Sequence, residues 1–201
     1  MNLTNLKCTL VFVIAICSAG LVCADPVTYV IDSRHSYPAF EADHQGGLSI
    51  WRGKITSTSG SIIMDREAET GSVNAELDMN SIDFGFEPMT NSAKDHVVFA
   101  EEFPVATYSG ELADFVDGTP TAVKGSLTLH GVTNELDLTI NRFLCKPHFQ
   151  HGREVCGADA SANFDRSTYG LMYGLDGVFL PFVNLLISVE AVVPAGDSAD
   201  L

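Results

Sequence analysis

The amino-acid sequence predicts an all-β protein, built as an antiparallel barrel or sandwich. Two observations carry that prediction. Roughly eight runs along the chain alternate apolar and polar residues with a period of two, separated by short turn-forming segments. One stretch, residues 125–133 (GSLTLHGVT), reads as the bend of a hairpin. Gly125, Leu127 and Leu129 alternate with Ser126, Thr128 and His130; His130-Gly131 breaks the pattern, and a second run follows through Leu136, Leu138 and Ile140. Strands of this kind are apolar on one face, so the sheet must close on itself or stack on another.

Residues 1–24 stand apart from this pattern. They carry Lys7 as their only charge, an apolar run over residues 9–16, and small residues around Val22-Cys23-Ala24. This is the layout of a cleaved secretory signal, and the apolar run is short for a membrane span. A lipoprotein anchored through Cys23 is the competing reading, which Val22 before the cysteine disfavours. Cleavage removes Lys7 and no acid, so the net charge of −15 becomes −16. Such acidity repels nucleic acid and anionic headgroups. Any lipid this chain handles is therefore expected inside the protein, without stable membrane insertion.

Residues 25–193 read as one domain, with no linker or internal repeat, and residues 194–201 as a disordered acidic tail. Residues 28–32 (TYVID) form a first short strand. Residues 37–44 place Pro38, Phe40, Ala42 and His44 on one side; Pro38 is tolerated where a strand begins. Gly46-Gly47 turns the chain. Residues 48–59 put Trp51, Gly53 and Ile55 on one face, and residues 60–65 start another strand. Val73, Ala75, Leu77 and Met79 form the next stripe. Over residues 81–103 periodicity fails between Pro88 and Pro104, and residues 91–99 suggest a short helix with Asn91 as N-cap. Strands resume at 105–111, 123–130 and 136–145. Residues 156–164 carry Ala158, Ala160, Ala162 and Phe164 on one face, and Val183, Leu185, Ile187 and Val189 share a face of the last strand. Small residues such as the three alanines and Gly53 leave space on inward faces. Eight strands can enclose one small ligand when that space is not filled. Spacing alone does not separate such a barrel from a sandwich in which the alanines face large neighbours.

These residues resemble the YceI family of periplasmic polyisoprenoid-binding proteins. The resemblance is carried by residues 125–133 and by Asp165-Arg166-Ser167-Thr168-Tyr169-Gly170. Ile31-Asp32, His35-Ser36, residues 40–44, Trp51-Arg52-Gly53, Ser81-Ile82-Asp83 and Val189-Glu190-Ala191 follow in the family's order. It implies an elongated eight-stranded antiparallel lipocalin-like barrel with a short helical insertion near residues 88–103. It also implies an apolar tunnel holding a long isoprenoid, a quinone or a similar lipid, no catalytic residues, and room for a homodimer. The inward stripes then supply candidate lining residues: Phe40, Ala42, Trp51, Ile55, Leu77 and Met79 in the first half, then Leu127 and Leu129, and finally Ala158, Ala160, Ala162, Phe164, Leu185 and Ile187; the resemblance adds Phe99, from the segment that lies near the tunnel in the family. His44, His130 and Arg166 are candidates for a headgroup contact or a structural role. The chain departs from the family pattern where Ser92 stands in place of a His, where Val98-Phe99 replaces an aromatic pair, and at Thr168.

Two competing chemistries remain. Cys145, His148, His151 and Cys156 have a spacing that zinc could use. Once the signal is removed, however, Cys145 and Cys156 are the only cysteines left, and in an oxidising compartment they are expected to form a disulfide. An enzyme would need a nucleophile beside a base. Ser36 is adjacent to His35 and would point to the opposite face of a strand, and no G-x-S-x-G elbow is present. The alternative to a lipid carrier is an exported barrel with a filled core that acts through its surface.

Overall fold

The computed structural model describes residues 25–196, so the signal segment and the last five positions of the tail lie outside the described residues. Twelve strands run in chain order: β1 (Val27–Ile31), β2 (Tyr37–His44), β3 (Ser49–Ile55), β4 (Thr58–Asp65), β5 (Thr70–Asp78), β6 (Ile82–Asp83), β7 (Val105–Ala113), β8 (Ala122–Leu129), β9 (Val132–Glu135), β10 (Leu138–Pro147), β11 (Glu154–Asp165) and β12 (Phe182–Val192). All pairings are antiparallel, and all lie in one sheet.

Several strands are halves of one longer strand. β2 pairs with β3 while β1 pairs with β4, and β5 pairs with β4 while β6 pairs with β3. β9 and β10 both pair with β8. Counting each interrupted strand once gives an eight-stranded meander. It closes because β12 pairs with β2 through Val183–Ser188 and with β1 through Ala191 and Val192. Closure removes the sheet edge and encloses an interior.

The interruptions between β1 and β2, between β3 and β4 and between β5 and β6 shift the phase of the inward stripe, whereas β9 and β10 keep one register on β8. Tyr29 and Ile31 face inward in β1, Phe40 and Ala42 in β2; Ile55 faces inward in β3, Thr58 and Ile62 in β4. An even number of residues keeps alternate side chains on one face, so a change from odd to even positions requires an extra residue. The Thr56-Ser57 break is held by Ser81, whose hydroxyl accepts from both backbone amides at 3.1 and 2.9 Å. The single strand expected over residues 48–59 is therefore two strands. The strand expected from Leu136 begins at Leu138, and between β9 and β10 the Leu136 N–H donates to the Gly125 carbonyl at 2.8 Å without a change of register.

The β8–β9 hairpin forms as expected. His130 (φ 53°) and Gly131 (φ 72°) both occupy the left-handed region, as a two-residue type I′ turn requires. Gly125, midway along β8, pairs with Gly110 of β7. A Cβ at Gly125 would stand 2.5 Å from the Tyr108 hydroxyl. That hydroxyl crosses over the glycine to donate to the Leu136 carbonyl at 2.9 Å, tying the broken strand to its neighbour.

The helical insertion is α1 (Glu87–Ser92), continued by a π-helical turn over Ala93–Val97. It starts earlier than expected, and Asn91 does not cap it. Pro88 does not bound the helix: its fixed φ and missing N–H suit the first turn, where it stands.

Candidate functional site

The barrel interior is a cavity of about 600 Å³ that runs from the base, where Leu112 and Phe143 line it, to the helical insertion. The base is packed by Tyr29 and Met64, both nearly inaccessible, and Arg66 joins the Tyr29 hydroxyl at 3.0 Å to the Glu154 carboxylate. At the other end the lining residues Phe86 and Tyr173 are 61% and 47% exposed, which marks the mouth.

The cavity exists because the strands facing it contribute small residues at the right phase. Ala160 pairs with Ile140 on one side and Ile187 on the other, and all three line the cavity. Ala158 and Ala42 leave similar gaps. At Gly53 the place of a side chain is taken by the ring of Phe40, whose Cζ lies 2.5 Å from where a Cβ would stand. Of the candidate lining residues, Phe40, Ala42, Trp51, Ile55, Leu77, Met79, Leu127, Leu129, Ala158, Ala160, Phe164, Leu185 and Ile187 all face the cavity. Two do not. Ala162 lies beside it, packed against the core. Phe99 is 39% exposed, with a backbone φ of 50°, and its ring stacks on His130 with centroids 5.3 Å apart. The tight turn after the π-helical segment rotates Phe99 outward, while Val97 and Val98 face inward.

The three polar candidates separate. His44 lines the mouth and stacks on Trp51 at 3.9 Å. Its neighbour Asp43 accepts from the amides of Gly46, Gly47 and Leu180 at 2.9, 2.5 and 2.9 Å. Desolvation pushes the Asp43 carboxyl up, but these three amides outweigh it and hold it below its ordinary value. Asp43 thereby ties the loop over residues 170–181 to the β2–β3 hairpin. Arg166 is buried, and its guanidinium donates to the carbonyls of Leu171 at 2.6 Å and Tyr173 at 2.7 Å. It anchors the same loop from beneath. Burial lowers its pKa, partly offset by the Asp165 charge. His130 does not reach the cavity; its Nδ1 lies 3.0 Å from the Tyr169 carbonyl, and Phe103 meets it edge-on.

Sequence reasoning missed part of the lining. Phe84, Met89, Tyr173 and Phe179 come from segments without periodicity. Thr58 falls within residues 48–59, where a single strand with Trp51, Gly53 and Ile55 inward turns it outward, and Ile62 lies in the short run that follows, for which the pattern gives no inward face. The shift from odd to even inward positions across Thr56-Ser57 was the available signal.

Cys145 and Cys156 lie opposite each other on β10 and β11 and form a disulfide. With both sulfurs bonded, the zinc alternative loses its thiolate ligands. His148 and His151 stack on each other at 4.0 Å in the connecting loop. Glu154 is the one carboxylate grouped with the cysteine sulfurs among the described residues. Ser36 is fully buried, and its hydroxyl is engaged by the backbone of Glu190, donating to the carbonyl and accepting from the amide, each at 3.1 Å. His35 turns instead to Asp32, at 2.9 Å.

A family model described as a YceI-like domain matches residues 29–192. No curated protein matches the chain. Among solved structures, the chain is similar to a polyisoprenoid binding domain from Saccharophagus degradans implicated in plant cell wall breakdown, at 17% identity and a TM-score of 0.60, covering 84% of this chain and 99% of that one. It is similar to BcnA of Burkholderia cenocepacia at 18% identity and a TM-score of 0.62, covering 80% and 98%. It is also similar to the YCEI protein of Campylobacter jejuni at 20% identity and a TM-score of 0.61, covering 74% and 88%. At these identities the similarity establishes the fold.

Proposed function

The chain belongs to the YceI family, and on that premise we propose that it is an exported carrier that sequesters a long-chain isoprenoid or similar amphipathic lipid inside its barrel. The observation that carries this reading is the cavity itself. About 600 Å³ lies within the range of small-molecule sites, and its wall is almost wholly aliphatic and aromatic. A filled core would hold large side chains where Ala42, Ala158 and Ala160 stand. An apolar chain entering this space leaves water on all sides, which stabilises the complex by roughly 25 cal/mol for each Å² of apolar surface buried.

The export reading is supported by the signal-like composition of residues 1–24 and by the Cys145–Cys156 disulfide, a bond that persists in oxidising compartments such as the periplasm. No helix among the described residues is long and apolar enough to cross a membrane. On this reading the chain is a binder; Ser36, the hydroxyl beside His35, is engaged by the Glu190 backbone, and His35 turns to Asp32.

The test is to purify the protein from cells that export it, extract it with organic solvent and examine the extract by mass spectrometry. One long-chain lipid at close to one per protein is expected. Repeated extraction of no lipid, with no uptake of added isoprenoid, would favour the surface-acting barrel.

A further inference from the structure

We propose that Thr58 is the hydrogen-bonding point of the tunnel, and that it selects a lipid carrying an uncharged oxygen, a hydroxyl or a carbonyl, at the barrel's waist. This rests on the lipid-carrier reading above. Thr58 is 5% exposed and lines the cavity. Two side-chain polar atoms are buried without a hydrogen-bond partner among the described residues, Thr58 Oγ1 and the Tyr169 hydroxyl, and only Thr58 belongs to the cavity wall. A buried hydroxyl without a partner is disfavoured, and a native structure keeps one where something else satisfies it.

The position of Thr58 explains why it is unpaired. It opens β4 directly after the Thr56-Ser57 break, at the level where β1 gives way to β2 and β5 to β6. Ser36 and Ser81, at the same breaks, have their hydroxyls used within the fold: Ser36 by the Glu190 backbone, and Ser81 by Thr56, Ser57 and Asp78. Thr58 pairs with Leu77 across the sheet, and Ile55, Met79 and Ile82 lie near it on the same wall.

The surroundings also set the class of oxygen. The charged side chains of the cavity wall are Asp43 and Arg166, and both sit at the mouth, held by backbone partners. A phosphate at the waist would be a buried anion without a counter-charge, which apolar surroundings strongly disfavour. A pure hydrocarbon would leave the hydroxyl unpaired. An uncharged oxygen satisfies it without burying charge, and a site that hydrogen-bonds its ligand discriminates against analogues lacking that group.

The experiment measures dissociation constants of the delipidated protein for geranylgeraniol, geranylgeranyl phosphate and squalene, in the parent, Thr58→Val and Thr58→Ser. The parent is expected to bind the alcohol most tightly. Thr58→Val, which keeps the shape and removes the hydroxyl, is expected to weaken alcohol binding on the order of tenfold while leaving squalene unchanged. Thr58→Ser is expected to restore the alcohol preference. A thermal melt of ligand-free Thr58→Val should equal or exceed that of the parent, which also verifies its fold. Unchanged alcohol binding in Thr58→Val, or a parent preference for the phosphate, would overturn the proposal and leave the carrier reading standing. Failure of the parent to bind any of the three would overturn both.

Discussion

Replacing Ala160 with Trp sets an open interior against a filled one. Ala160 is buried, sits between Ile140 and Ile187, and points into a cavity of about 600 Å³. In a filled core an indole at this position would force its neighbours apart, at about 1–3 kcal/mol. For a domain of this size that corresponds to a fall in Tm of roughly 2–12 °C. In the open barrel the indole enters unoccupied space, displaces no side chain and buries its own apolar surface. The ligand-free variant is therefore expected to melt within about 2 °C of the parent. It should fail to take up a long isoprenoid, because the ring obstructs the passage between the mouth and the base. A melt of delipidated protein beside a lipid-uptake assay reads both quantities. A large stability loss with unaltered lipid uptake would refute the open-tunnel account.

Three further perturbations follow from specific contacts. Cys145→Ser and Cys156→Ser should each lower stability by about 3 kcal/mol, the chain-entropy value for a loop of this length, and the double variant by no more than either alone; additive losses in denaturant melts would mean the two cysteines are not one bond. Arg166→Gln removes donors from the Leu171 and Tyr173 carbonyls and should cost about 2–4 kcal/mol, with faster amide exchange over residues 170–181; unchanged exchange there would show that the loop is held by other contacts. The Asp32 carboxyl is held well below its ordinary 3.8 chiefly by the Arg34 side chain, with His35 adding to it. A depressed carboxylate pKa stabilises the fold above the unfolded value, and that contribution is lost as pH falls through the folded one. Parent stability should therefore decline below about pH 4, and Asp32→Asn should show a shallower decline, with identical acid profiles counting against the pairing.

The barrel was legible because its walls obey a period of two. Val73, Ala75, Leu77 and Met79, or Leu185 and Ile187, announce an inward face wherever they occur. What the period does not announce is a change of phase. Ile55 and Thr58 both point inward although an odd number of positions separates them, because Thr56-Ser57 adds a residue that the sheet leaves unpaired. A single strand over residues 48–59 hides Thr58, the one wall residue among the described residues whose buried hydroxyl has no partner. The helical insertion was obscured in a different way. Pro88 can end a helix or begin one, and only tertiary structure decides between the two. Phe99 followed from the family resemblance, in which Val98-Phe99 stands for an aromatic pair near the tunnel. A backbone turn with φ of 50° directs it away, onto His130.

Trp51 gives the most direct test of the central claim. It is the single tryptophan of the chain, it lines the cavity, and it stacks on His44 at the mouth, so its emission reports on the tunnel alone. Delipidated protein is titrated with a long-chain isoprenoid alcohol while Trp51 fluorescence is recorded. The account predicts a saturable change in emission that levels off at one lipid per chain, because the ligand replaces water or empty space beside the indole. Emission that stays unchanged up to the solubility limit of the lipid, or that drifts without saturating, would contradict a lipid-holding tunnel.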